Sequence, residues 1–226
     1  MCRWDELPQN MQVEEVKRYY DILQRHKVSL ILKRLFDIIV AGVLLVLLSP
    51  LLLILAICIK LDSKGPVFFR QVRVTTYGKT FRIFKFRTMV NNADKIGTQV
   101  TTKGDVRITK VGKALRGCRL DELPQLLNIL SGDMTFVGTR PEVEKYVAHY
   151  TDEMKATLLL PAGVTSRASI EYKDEDKLLE SAENADQVYI EQILPEKMKY
   201  NLKAIEEFSF WQDIKTMFAT VIAVIK

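Results

Sequence analysis

Ile38–Ile59 reads IIVAGVLLVLLSPLLLILAICI, 22 residues without a charge. As a straight helix this run reaches roughly 33 Å, about the thickness of one bilayer hydrocarbon core. It starts too late and runs too long for a cleavable signal peptide, and no small-residue cleavage site follows it, so it is expected to remain as a membrane element. Ser49-Pro50 sits at its centre. A proline there withdraws a backbone donor and kinks a helix, and the serine hydroxyl can take up a freed carbonyl. Basic residues flank both ends, Lys33 and Arg34 before and Lys60, Lys64, Arg70 and Arg73 after. An ordinary span gathers such residues on one side only. Two topologies therefore stay open: a re-entrant helix that breaks at Ser49-Pro50 and returns to the same face, and a single span with a tolerated proline.

Outward from this run the pattern is mixed α+β. Residues 1–32 form an N-terminal extension with an amphipathic helix from about Gln12 to His26, where Val13, Val16, Tyr20 and Leu23 make one stripe. Such a helix suits a membrane surface or the rest of the protein. The membrane helix occupies 33–62, and 63–226 is expected to be a membrane-associated catalytic domain. From Pro66 to Phe86, and on to Met89, aromatic and β-branched residues alternate with Arg and Lys, and Tyr77-Gly78 marks the turn of a short hairpin. Residues 91–118 read as polar loop. A helix is expected from Asp121 to Leu130, with Pro124 in its first turn and Gly132 as its stop. Phe136–Glu142 (FVGTRPE) reads as a rigid turn before a helix over about 142–156. Residues 161–190 read as loop and strand, and Phe208–Ile225 as an amphipathic segment for the membrane interface or the core. RWDELPQ at Arg3–Gln9 echoes RLDELPQ at Arg119–Gln125, but lacks the apolar helix and the GTRP that follow the second copy.

The 226-residue chain is 48% hydrophobic and 27% charged with a net charge of +5. That excludes a disordered chain and suits anionic lipid, nucleic acid or phosphorylated small molecules. Three widely spaced cysteines without a CxxC pair indicate neither a disulfide framework nor a zinc site. Two distant histidines, His26 and His149, argue against a histidine-based triad or metal cluster. There is no GxxxxGK[ST] and no GxGxxG, so a P-loop or dinucleotide site is not supported.

Chemistry points to Asp121-Glu122. Carboxylates opening a helix are stabilised by its unpaired donors, which would equally hold a phosphate. Alone, such a pair is more often a cap than a catalyst. Here Lys85, Arg87, Arg116, Arg119 and Arg140 gather around it in the sequence, and phosphoryl chemistry needs such cations to neutralise developing charge. A hard divalent ion such as Mg²⁺ would use carboxylate oxygens together with substrate phosphates. The rival from another class is a non-enzymatic, membrane-anchored basic protein that binds lipid headgroups or nucleic acid.

Three blocks, KRLFDIIVAGVLLVLLSP (Lys33–Pro50), GPVFFRQVRVTTYGKTFRIFKFRTM (Gly65–Met89) and LRGCRLDELPQLLNILSGDMTFVGTRPE (Leu115–Glu142), occur in this order. The chain resembles the bacterial sugar transferase family, the monotopic phosphoglycosyl transferases, over roughly Lys33 to Tyr172. The resemblance implies transfer of a sugar-1-phosphate from a UDP-sugar to undecaprenyl phosphate, with release of UMP, as the first membrane step of bacterial glycoconjugate assembly (capsule, O-antigen, exopolysaccharide or glycoprotein glycan). It implies Asp121 as a nucleophile that forms a phosphosugar-aspartyl intermediate. Glu122 would orient Asp121 or join it in holding Mg²⁺. Arg140 would grip substrate phosphates, with Lys85, Arg87 and Arg116 as further basic contacts. Ser49-Pro50 matches the break of a re-entrant helix. The expected location is the bacterial inner membrane, with the catalytic domain on its cytoplasmic face. Membrane lipid is an expected partner, nucleic acid is not, and a homodimer is compatible. Many relatives carry PGxTGxxQVxGR where this chain has PAGVTSRASIEYKDED (Pro161–Asp176). Arg167 and Lys173 are candidate phosphate or sugar contacts there, and the difference bears on the choice of sugar.

Overall fold

The computed structural model describes residues 1–91, 93, 105–172 and 184–225. Lys173 lies outside them. The expected membrane run belongs to one helix of 36 residues, α2 (Lys27–Asp62), which follows α1 (Glu14–Arg25). Pro50 lies inside α2 without ending it. The carbonyl that loses its partner to Pro50 is that of Val46, four residues back. The Ser49 hydroxyl donates to this carbonyl at 2.8 Å, the local repair expected from the sequence. One face of α2 is bare of protein: Val46 is 74% exposed, Leu47 68% and Leu53 64%. Among the described residues α2 is the one helix long and apolar enough to cross a membrane. Such a surface is stable only against lipid or another apolar partner.

The opposite face of α2 is seated on the rest of the chain along both halves. Ala41, with Leu44, Leu45 and Leu48 beside it, packs with Phe81, Ile83, Leu126 and Ile129. Beyond Pro50, Ile59 packs with Phe86 and Leu115, flanked by Leu52, Leu55 and Ala56. Both ends are tied down as well. Lys33 donates to the Val137 carbonyl at 2.7 Å and to Asp213 at 2.6 Å, and Arg34 donates to the Ile129 and Leu130 carbonyls. Asp62 accepts from the Val111 amide at the far end. Several basic residues that flank the apolar run therefore bind the protein itself, which weakens them as topology signals.

The hairpin is present: β1 (Phe68–Val74) and β2 (Thr80–Phe86) pair antiparallel, with Phe69 opposite Lys85. Tyr77 takes the left-handed conformation at the turn (φ 58°). The stretch read as loop over 91–118 contains α3 (Lys110–Gly117), whose first turn is capped by the Thr109 hydroxyl accepting from the Gly112 amide. The helix expected over 121–130 is split into a 3₁₀ turn, Leu120–Gln125, and α4 (Leu126–Ser131). Pro124 explains the split, because it disfavours α geometry at the residue before it. Gly132 ends α4 with φ 93°, a conformation that favours glycine.

Next come β3 (Met134–Val137) and, beyond a long connection, β4 (Ala162–Thr165), paired in parallel. The helix expected over 142–156 is only a single turn at Glu144–Val147 and a 3₁₀ segment at Met154–Leu159. After β4 come α5 (Arg167–Glu171), α6 (Leu194–Glu206) and α7 (Phe210–Ile225). The N-terminal extension is part of the main core. Val16, Tyr19, Tyr20 and Leu23 of α1 are buried with Leu159, Leu194, Met198 and Ile205. Full burial of a side chain such as Leu23 contributes about 2–3 kcal/mol.

Candidate functional site

The site is assembled by three local devices. The first is Asn128 in the apolar helix α4. Its carboxamide accepts from the Phe84 amide at 2.8 Å and donates to the Arg82 carbonyl at 3.1 Å, so it pairs with the outer edge of β2 as a neighbouring strand would. This fixes the turn before α4 against Lys85. The second is Arg119, held left-handed (φ 55°) at the start of the Leu120–Gln125 turn. A non-glycine residue in that conformation costs about 1–3 kcal/mol, and such strain concentrates at functional sites. The third is a glycine crossing between β3 and β4. The Gly138 amide donates to Thr165 and the Gly163 amide to Thr139, and a methyl on Gly163 would sit 2.2 Å from the Gly138 backbone. This crossing carries Arg140 to the dyad.

The two acids meet different surroundings. Glu122 is gripped by Lys85 at 2.9 Å and by both terminal nitrogens of Arg140, one of them at 3.3 Å. The Glu122 side chain is only 12% exposed. Burial pushes its carboxyl up, but Arg140 and Lys85 outweigh burial and hold it well below the usual carboxylate range. Burial pushes the Lys85 ammonium down against the pull of Glu122. Asp121 is 9% exposed and, among the described residues, makes no ion pair. Burial raises its pKa above the ordinary value; the Glu122 charge adds to this, while Lys85 and Arg116 oppose it. The arrangement is a partly desolvated anion beside a fixed positive field.

Lys85, Glu122 and Arg140 thus come together as the sequence led one to expect. Arg116 is anchored by its Nε to the Thr88 hydroxyl at 2.9 Å, close enough to the dyad to affect Asp121. Arg87 is placed elsewhere. It is buried, and its guanidinium donates to the Ser63 carbonyl (2.6 Å), the Ser63 hydroxyl (2.8 Å) and the Lys64 carbonyl (3.2 Å), closing the end of α2. These partners give it a structural task in place of the phosphate contact expected of it. Arg167 reaches toward Glu171 at 3.6 Å on the exposed side of α5.

No three His, Cys, Asp or Glu side chains converge as a metal cage among the described residues. A magnesium ion needs only one or two protein carboxylates when phosphates supply the remaining oxygens. Asp121 fits that requirement. Glu122 does not, because its oxygens are committed to Lys85 and Arg140.

Sequence reasoning passed over Asn128, which it read as part of an apolar helix, and Thr88. A lone asparagine inside LLNIL was the available signal, since a buried amide needs partners. It also passed over Asp37, whose carboxylate accepts from the Thr135 hydroxyl at 2.6 Å and from the Phe136 amide.

Comparison with known proteins adds a second line. The family model for bacterial sugar transferases matches residues 28–226. A UDP-glucose:undecaprenyl-phosphate glucose-1-phosphate transferase of Klebsiella pneumoniae is 40% identical over 200 residues, covering 86% of this chain and 40% of that protein. A UDP-N-acetylgalactosamine-undecaprenyl-phosphate N-acetylgalactosaminephosphotransferase of Aeromonas hydrophila is 37% identical, covering 84% of this chain and 43% of that protein. The sugar transferase EpsL of Bacillus subtilis, uncharacterized, is 35% identical and is covered over 86% of its length. The chain therefore spans about two fifths of the length of the first two of these relatives. With a family model matched over nearly its whole length, this chain belongs to the bacterial sugar transferase family.

Proposed function

We propose that this protein transfers a sugar-1-phosphate from a UDP-sugar to undecaprenyl phosphate at the cytoplasmic face of the bacterial inner membrane. The observation that carries the proposal is the division of labour in the dyad. Glu122 is spent on organising Lys85 and Arg140, and Asp121 makes no ion pair among the described residues, is desolvated, and faces Lys85 and Arg116. In this reading the Asp121 carboxylate attacks the β-phosphorus of the donor. The bond from that phosphorus to the bridging oxygen breaks, and UMP leaves with the electron pair. An acyl phosphate, the phosphosugar ester of Asp121, remains. A phosphate oxygen of the polyprenyl phosphate then attacks the same phosphorus and frees the carboxylate, giving the polyprenyl diphosphate sugar. Arg140, Lys85 and Arg116 neutralise charge on the phosphoryl oxygens in both steps. A magnesium ion held by Asp121 and the donor diphosphate would withdraw further negative charge from the phosphates.

A re-entrant α2 suits this chemistry, because donor and acceptor then meet on one side of the bilayer. The seating of both halves of α2 on the same domain, on either side of Pro50, supports that topology over a simple span. The names of the relatives support the reaction class and leave the sugar open, since the two quoted transfer different sugars. An anchored, non-enzymatic basic protein accounts less well for a desolvated carboxylate placed within the field of Lys85 and Arg116.

The test is UMP release from a panel of UDP-sugars by detergent-solubilised protein with Mg²⁺, with and without undecaprenyl phosphate. Acceptor-dependent UMP from one donor, lost in Asp121→Asn, is the expected result. Equal release without acceptor would instead indicate a hydrolase, and an active Asp121→Asn would remove the covalent step.

A further inference from the structure

We propose that the cavity between α6, α7 and the ends of β3 and β4 is the donor's recognition subsite, where Asn201 pairs with a planar amide of the UDP-sugar. The proposal rests on the transferase reading. The cavity measures about 300 Å³, at the small end of the range of roughly 300–1,000 Å³ usual for small-molecule sites. Gly138 and Thr139 form part of its wall, and Arg140 is the next residue in the chain. Ser166 and Arg167 close the corresponding end of β4. The cavity thus opens at the carboxyl ends of a parallel strand pair, one residue from the arginine assigned to the donor's phosphates. Ligands of open α/β sheets settle at such strand ends.

Asn201 indicates the kind of ligand. It lines the cavity at 5% exposure, and the sole hydrogen bond of its carboxamide among the described residues is a long contact from Nδ2 to the Met198 sulfur, 3.7 Å. The carboxamide oxygen has no protein donor among the described residues and is not sealed from solvent, so it is an acceptor offered to whatever fills the cavity. Tyr200 and Gln212 add an aromatic wall and a second carboxamide, and the Lys33 ammonium is already taken by Asp213 and the Val137 carbonyl. The other cations of the lining are paired as well, Lys203 with Glu207 at 3.7 Å and Arg167 with Glu171 at 3.6 Å, so the lining suits a neutral group presenting N–H beside C=O. A UDP-sugar offers that edge in two places: the imide of uracil, and the acetamido group of an N-acetylated sugar.

The test uses the full chain in detergent. UMP binding is measured by calorimetry, and KM is measured for UDP-glucose and UDP-N-acetylglucosamine. Two variants are compared with wild type: Asn201→Leu, which keeps the volume, and Ala204→Phe, which fills the cavity from an exposed position on α6. If uracil is the occupant, both variants weaken UMP about tenfold or more. If the acetamido group is the occupant, UMP binding stays and KM rises about tenfold for the N-acetylated donor alone. A merely unsatisfied structural amide predicts that Asn201→Leu raises Tm and changes neither binding nor KM. That result, with Ala204→Phe equally silent, overturns the cavity assignment while wild-type turnover stands. Wild type that neither binds UMP nor releases it from any donor overturns the transferase reading together with this inference.

Discussion

Two buried charge clusters, one on β3 itself and one just past its carboxyl end, are built differently. At the strand itself, Asp37 of α2 receives the Thr135 hydroxyl and the Phe136 amide, while Lys33 bridges Asp213 of α7 and the Val137 carbonyl. Each charge there ends on a fixed partner, and the Lys33 and Asp213 side chains are 8% and 17% exposed. Beyond the strand, Arg140 and Lys85 converge on Glu122, their side chains remain 30% and 22% exposed, and Asp121 beside them makes no ion pair among the described residues. The first cluster is closed and can only hold α2 and α7 to the sheet. The second keeps cationic surface and an anion in reserve for a ligand. The same residue types give a clamp in one place and a site in the other, and satisfaction of the last lone pair decides which.

The sharpest way to break this contrast is Asp121→Asn. Turnover is expected to fall about 1,000-fold or more, as for other nucleophile deletions. Tm should hold or rise, because a desolvated carboxylate with no ion pair is removed. A variant that loses Tm along with activity would place Asp121 among the structural charges. Next is Arg140→Leu, which leaves Glu122 buried with Lys85 alone. Breaking a buried pair costs about 3–5 kcal/mol, so both stability and turnover should drop, which chemical denaturation and UMP release would show. Asp37→Ala, at the closed cluster, is expected to cost about 2–3 kcal/mol by stranding the Thr135 hydroxyl and the Phe136 amide. Turnover per folded molecule should change far less than in the site variants. Comparable losses in both would mean that the clamp also sets the position of Arg140.

The pH profile separates the two acids further. In the proposed reaction Asp121 attacks as an anion, and its pKa is raised, so kcat/KM should fall on the acid side at a pH above the ordinary aspartate value of about 4. Arg116 opposes that rise, so Arg116→Gln should move the acid limb to higher pH. An acid limb that stays in place would assign it to another group. Glu122 is held far below neutrality and contributes no limb in this range.

The sequence revealed the parts of this site that depend on local rules and short motifs. The apolar run, the Tyr77-Gly78 hairpin and the Gly132 stop were readable because periodicity and turn chemistry are local, while the grouping of Lys85, Glu122 and Arg140, 37 and 18 positions apart, came through the resemblance to a family's motifs. The split before α4 was missed, although Pro124 signals it, because tertiary packing decides how far a proline's effect extends. The β3–β4 pair stayed hidden because it joins two four-residue strands 28 positions apart along the chain (Met134 with Ala162). Such short parallel strands carry no periodicity, and their marker is a pair of glycines, Gly138 and Gly163, that must touch. Arg87 was assigned to the site by proximity in sequence. Its adjacent position, two residues after Lys85, points its side chain to the same sheet face only while the strand continues, and β2 ends at Phe86.

The smallest expected effect sits at Pro50, and it bears on how the whole molecule meets the membrane. Ser49→Ala strands the Val46 carbonyl in an apolar setting and should cost about 1 kcal/mol, since a backbone carbonyl has other ways to relax near a proline. Pro50→Ala returns an amide to that carbonyl and should straighten α2. A re-entrant path needs a bend at Pro50, so removing the proline should favour a simple span. Single cysteines placed near Lys27 and near Lys64, in a background without Cys2, Cys58 and Cys118, would react with an impermeant maleimide from the same side of the membrane in the wild type. Labelling from opposite sides would make α2 an ordinary span and would leave its second seat, Phe86 and Leu115, as packing formed outside the bilayer. Same-side labelling that becomes opposite-side in Pro50→Ala would show that one pyrrolidine ring, repaired by one hydroxyl, sets the topology on which the meeting of donor and acceptor depends.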